Sequence, residues 1–92
     1  MPEKQRIVAA LENVNDPEIG LNIVELGFIY RLQRMANIYQ VEMTMTNPLC
    51  PLREYFRQSV IREINKALPD VSDVKVDFIF DPPWRKEMIN NK

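Results

Sequence analysis

At 92 residues, 46% hydrophobic and 27% charged, the chain has the length and composition of one globular domain with a single core. Twelve basic and thirteen acidic residues leave a net charge of −1, which implies no basic field for nucleic acid. There is no histidine and one cysteine, Cys50, which excludes Ser-His, Cys-His and His-zinc chemistry within one chain and any internal disulfide.

Residues 3 to about 14 place Ile7, Val8, Leu11 and Val14 on one helical face, with Glu3, Lys4, Arg6 and Glu12 around it. Asn13, Asn15, Asp16 and Pro17 break that helix, because the residue before a proline is pushed out of the α region. Asp16-Pro17-Glu18-Ile19-Gly20 reads as a turn leading into a short irregular segment through Glu25. Turn chemistry, with the Asp16 carboxylate bonded to nearby backbone N–H groups, is the ordinary explanation of an Asp-Pro; an acid/base or ligand role needs separate support.

From Leu26 the pattern alternates. Leu26, Phe28, Tyr30 and Leu32 are expected on one face, and Gly27, Ile29, Arg31 and Gln33 on the other. A turn over residues 34–37 makes a hairpin with a second strand, Tyr39, Val41, Met43 and Met45 inward and Gln40, Glu42 and Thr44 outward. Alternate methionines in a strand are core filler before they are metal ligands. A second helix is expected from about Pro51 to Leu68, burying Leu52, Tyr55, Phe56, Val60, Ile64, Ala67 and Leu68. Val74, Val76, Phe78 and Phe80 form a third strand, which Asp81-Pro82-Pro83-Trp84 stops. The last eight residues are polar apart from Met88 and Ile89, and at most partial order is expected there.

The fold class that follows is α+β, a two-layer α-β-β-α-β domain over residues 1–92. Its mixed three-stranded sheet is small, and both main helices lie on one face. The crossover from the second strand through the second helix makes the third strand parallel to the second. One end of the sheet then gathers three motifs distant in sequence: the Asp16–Gly20 loop, the Thr46-to-Pro51 segment and the Asp81–Trp84 turn.

Cys50 stands before Pro51, a residue suited to the first position of a helix. As N-cap of the second helix, its sulfur would lie near unpaired N–H groups and the positive end of the dipole, which favours thiolate. A buried small hydrophobe is the alternative reading of a lone cysteine. Trp84 has two readings as well, a recognition surface or a ring packed on the end of the sheet.

Four motifs in order resemble the SufT/PaaD-like family of small metal–sulfur cluster assembly factors. They are Asp16-Pro17-Glu18-Ile19-Gly20, Ile23 through Tyr30, Thr44-Met45-Thr46 with Cys50-Pro51, and Asp81-Pro82-Pro83-Trp84 with Met88. The resemblance covers nearly the whole chain. It implies a compact α/β domain that serves the maturation of iron–sulfur proteins. Cys50 matches the family's reactive cysteine and Asp16 the aspartate of its Asp-Pro-Glu motif, and Glu18, Thr46, Asp81 and Trp84 are implied as a partner surface. Glu25 stands where the family commonly has aspartate, Arg31 where an acidic residue is frequent, and Asn47 where a small residue or threonine is usual. Neither the P-loop of some relatives nor the cysteine-rich tail of others is present in this sequence.

The expected function is an accessory factor in iron–sulfur cluster assembly or transfer to apo-proteins, without turnover of a small substrate. The alternative is a metal-free adaptor that docks targets to the assembly machinery. A thiol enzyme is disfavoured, since neither a histidine base nor a resolving cysteine exists. One thiol cannot hold a four-thiolate cluster. A transient iron–sulfur cluster on Cys50, the one cofactor implied, would therefore draw ligands from a second subunit, a partner, glutathione or carboxylates such as Asp16. The partners implied are iron–sulfur carrier or scaffold proteins and apo-targets, with a homodimer as one way to bridge a cluster; no nucleic acid or membrane is implied. No apolar run approaches the roughly 18 residues of a bilayer span. The N-terminus lacks a signal core, and a lone thiol points to a reducing cytoplasm.

Overall fold

The computed structural model describes residues 2–46, 51–81 and 83–89. In order they form helix α1 (Glu3–Leu11), strands β1 (Ile29–Met35) and β2 (Ile38–Met43), helix α2 (Arg53–Ala67), strand β3 (Asp73–Phe78) and a short 3-10 helix (Lys86–Met88). The sheet order is β1-β2-β3, with β1 antiparallel to β2 and β3 parallel to it. The expected two-layer α+β architecture is therefore the observed one.

The layers follow from the apolar periods. Tyr39, Val41 and Met43 of β2 and Val74 and Val76 of β3 form the buried face of the sheet. Ile7 and Leu11 of α1 and Phe56, Val60 and Ile64 of α2 join them in the core. The Arg6 guanidinium donates to the Ala67 carbonyl (2.7 Å) and ties the two helices to each other. On the opposite face Gln40 donates to Asp77 (3.1 Å), as expected of a solvated side.

Several boundaries differ from the sequence reading. Helix α1 stops at Leu11, and Asn13 and Val14 continue the turn with bonds three residues back, to Ala10 and Leu11. Strand β1 begins at Ile29, and its register against β2 shifts between Ile29 and Arg31. That shift breaks the strict alternation: Ile29 pairs with Met43 and packs on the core, although alternation from Leu26 put it outside. Thr44, expected outward, is fully buried, because β2 leaves the ladder after Met43 and period two no longer assigns sides. Strand β3 ends at Phe78, two residues before Phe80.

Arg34 is paired with Tyr39 and so faces the helices, where it meets Glu3 of α1 at 3.1 Å and Asp70 beyond α2 at 2.8 Å. Its hydrogen bond holds the Asp70 carboxyl below the usual carboxylate range. The hairpin between β1 and β2 turns on Ala36 and Asn37. The Asn37 carbonyl also accepts from the Ser72 amide (2.8 Å) and hydroxyl (3.1 Å), which fixes the turn against the start of β3. Ala36 has φ 55°, a left-handed value that a Cβ disfavours by about 1–2 kcal/mol. Ala36→Gly is expected to raise the unfolding free energy by about 0.5–1 kcal/mol, after the extra entropy that glycine loses on folding. Urea unfolding measures it, and an unchanged or lower midpoint would mean that Ala36 carries no strain.

Candidate functional site

The Asp16 loop is organised by its own side chain. Asp16 is buried, and its Oδ1 accepts the amide protons of Glu18 (2.8 Å) and Ile19 (3.2 Å), while its carbonyl accepts that of Gly20 (2.8 Å). This is the turn chemistry that an Asp-Pro supports. Gly20 takes φ +84° in open space and lets the chain reverse. Asn15 and Asn22 then bridge, and one helical turn follows in which Asn22 and Glu25 cap each other reciprocally: Asn22 Oδ1 accepts the Glu25 amide (2.8 Å), and Glu25 Oε1 accepts from Asn22 Nδ2 (2.7 Å).

That turn delivers Ile23, Leu26 and Phe28 into the core. The Phe28 carbonyl accepts the Thr44 amide (2.7 Å), so the start of β1 lies at the end of β2. Phe28 meets Phe56 of α2 edge to face, with ring centroids 6.1 Å apart. Tyr55 lies beside Phe56, and its hydroxyl donates to the Asn15 carbonyl (3.2 Å). The first turn of α2 therefore sits on the Asp16 loop.

The residues after β3 close the same end. Trp84 meets Phe28 edge to face at 5.7 Å, and its indole N–H donates to the Leu26 carbonyl (2.6 Å). Tyr30 donates to the Met88 sulfur (3.8 Å), and Ile89 packs against the core. Residues 83–89 thus form a strap in which Trp84 and Ile89 pack against the core and Met88 meets Tyr30, while residues 90–92 of the last eight lie outside the described residues. Gly27 makes this approach feasible: its φ is +75°, and a Cβ there would collide with the Met88 carbonyl oxygen.

The structure thus brings Asp16, Thr46 and Trp84 to one end of the sheet, as the parallel β2–β3 pairing requires. Glu18, Thr46 and Asp81 are exposed there and Trp84 is half-buried, with its N–H already bonded. Cys50 lies outside the described residues; the flanking Thr46 and Pro51 are at this end. The N-cap of α2 is Leu52, which displaces the expected arrangement of Cys50 as N-cap and Pro51 as first helical residue. Leu52 packs against the core and its carbonyl accepts the first helical bond, from Phe56 (2.9 Å), so burial of Leu52 sets where the helix begins.

Tyr55, expected in the buried stripe, is 44% exposed. Burial follows Phe56, Val60 and Ile64, four residues apart, which leaves Tyr55 a hundred-degree step aside. Ile19, 42% exposed, was also not expected as a surface feature. Its position inside an Asp-Pro turn is the sequence signal that could have shown it. Among the described residues no three His, Cys, Asp or Glu side chains are grouped as metal ligands, so the cluster-binding expectation finds no ready-made ligand set there.

Residues 4–78 match the family described as iron–sulfur cluster assembly protein. The chain belongs to that family. The match ends with β3, so the strap lies beyond it. A curated relative, the Fe-S protein maturation auxiliary factor YitW of Bacillus subtilis, is 35% identical over 91 residues, which cover 95% of this chain and 85% of that protein. The Fe-S protein maturation auxiliary factor SufT of Staphylococcus aureus is 32% identical over 84% of this chain and 88% of its own length. The iron-sulfur cluster carrier protein of Deinococcus radiodurans is 36% identical over 78% of this chain, but only 20% of that longer protein is matched. In structure, a crystallised domain of unknown function from Bacillus anthracis superposes with TM-score 0.87 at 33% identity, covering 95% of this chain and 83% of that one. A SufT-like assembly domain, as the motifs suggested, is what these similarities establish.

Two substitutions test how this assembly-family site is built. Asp16→Ala should cost about 1–3 kcal/mol, because two loop amides lose their acceptor, and Asp16→Asn less than about 1 kcal/mol, because an amide oxygen accepts the same bonds. Equal losses in urea unfolding would mean that the charge, not the acceptor, holds the loop. Gly27→Ala should cost at least about 1–2 kcal/mol from its positive φ alone, and should shift Trp84 fluorescence to the red as the strap lifts. Unchanged emission would show that the strap does not depend on the close approach.

Proposed function

We propose that this protein is an accessory factor that helps to assemble iron–sulfur clusters or transfer them to apo-proteins, with the cluster as cargo and Cys50 as the thiol that meets it. The observation that carries the reading is the meeting of the Asp16 loop, the Thr46 and Pro51 flanks of Cys50 and the Trp84 strap at one end of the sheet. The names of the maturation-factor and carrier relatives support the same direction.

Chemistry narrows what one chain does. A single thiolate gives one ligand, so the remaining positions on the cargo come from a partner carrier or scaffold, glutathione or a second copy of the chain. Asp16 acts by holding its loop through Oδ1. Glu18, Thr46 and Asp81 give the partner an exposed polar surface, and Trp84 shapes its border. No small substrate is turned over in this scheme, and the compartment is a reducing cytoplasm, where a lone thiol persists. No helix among the described residues is long and apolar enough to cross a membrane.

The second reading is a metal-free adaptor, which the exposed apolar Ile19 and Tyr55 at this end favour. Anaerobic reconstitution with iron and sulfide separates the two. The cluster handler develops visible absorbance that Cys50→Ser abolishes, while the melting temperatures of the two proteins stay within a few degrees, about the shift that 1 kcal/mol produces. Wild-type protein that stays colourless, or colour that survives in Cys50→Ser, would leave the adaptor.

A further inference from the structure

Next to the site lies a surface that cluster handling by Cys50 leaves unexplained. Pro17, Ile19, Pro51 and Tyr55 are all exposed, at the Asp16 loop and the approach to α2. They belong to one rim, because the Tyr55 hydroxyl is bonded to Asn15 at the base of the loop and Pro51 is four residues before Tyr55 on the way into the helix. Beside Ile19, Gly20 has open space around its Cα. The two amides held by Asp16 stiffen the loop, so Ile19 is presented with little entropy left to lose on binding.

The loop side of this rim is acidic, with Glu18 exposed beside Ile19. Between Arg6 and Arg31 the chain carries Glu12, Asp16, Glu18 and Glu25 and not one lysine or arginine. The cations in the first turns of α2 have partners on the β3 side. Arg53 lies over the rings of Phe78 (5.4 Å) and Phe80 (5.5 Å), and Arg57 lies over Phe78 (5.2 Å) and bonds Glu54 and the Val76 carbonyl. Both are engaged with residues of β3 or just after it. An apolar centre within an acidic border selects a partner that offers apolar side chains within a basic one.

We infer that the rim formed by Pro17, Ile19 and Tyr55 is a docking surface for a partner protein segment that presents an apolar side chain flanked by lysine or arginine. It rests on the reading of this end of the sheet as the site, and it specifies the chemistry of the partner rather than of the cargo. Ile19 and Tyr55 supply the anchor, and Glu18 supplies the selectivity for positive charge.

The test uses the full chain, labelled with ¹⁵N and free of iron. It is titrated with a synthetic peptide carrying a Leu-Phe pair between lysines, and with the same pair between glutamates. The lysine peptide is expected to move the amides of Glu18, Ile19, Gly20 and Tyr55, and the glutamate peptide is expected not to. Ile19→Ser and Glu18→Lys, both at exposed positions, should each weaken the lysine peptide by about tenfold while leaving the dispersion of the spectrum intact. Equal binding of the two peptides, undiminished binding to Ile19→Ser, or shifts gathered instead on the outer face of α2 around Gln58 and Arg62 would each overturn the assignment. Because no iron is present, this result and the Cys50 reconstitution fail independently.

Discussion

The ring of Phe28 is wholly removed from solvent and meets Phe56 edge to face on one side and Trp84 on another. Its peptide group is held as well, the N–H bonded to Ile23 and the carbonyl to Thr44. Four segments distant in sequence therefore converge on one residue: the capped turn before β1, the end of β2, the first turn of α2 and the strap after β3. Aromatic edge-to-face pairs add about 0.5–1.5 kcal/mol beyond the area they bury, and two of them share this ring. This end of the domain is held together because its loops are bonded to a packed hydrophobic point.

Asp16 complements that point from the polar side. A carboxylate removed from water needs hydrogen-bond donors, and here the donors are the amides of its own turn. The arrangement uses Asp16 to shape a loop, and through Asn15 and the Tyr55 hydroxyl that loop is fixed to α2. Asp16 thus contributes to this end of the sheet through the position it gives its neighbours. The same geometry leaves Ile19 and Tyr55 facing solvent beside an acidic stretch of chain.

The composition of the chain limits its chemistry more strictly than the fold does. One thiol supplies one cluster ligand, and this sequence offers no imidazole as its base. Under the proposed function, contact with other proteins is the larger part of its work. A small domain with proline-stiffened loops at one end suits that role, since stiff loops lose little entropy when bound.

Apolar periodicity alone determined the number, order and kind of the main elements, because burial of a helix or strand face leaves its period in the sequence. From those elements the crossover rule placed β3 parallel to β2, and with it the meeting of the Asp16, Thr46 and Trp84 segments at one end. Motif order likewise pointed to the family. Only the tertiary structure decided the finer side assignments. The register shift at Ile29 moves that residue to the core, and a shift of pairing has no local signature in residue type. Leu52 rather than Cys50 caps α2, since the depth to which Leu52 packs sets the first helical bond. Tyr55 faces solvent because a helix has a hundred-degree step per residue and its stripe has margins that only the partner layer defines. The strap was the least legible part: its place is set by Leu26, Gly27 and Phe28, more than fifty residues earlier, and contacts at that separation leave no periodic trace in the segment that makes them.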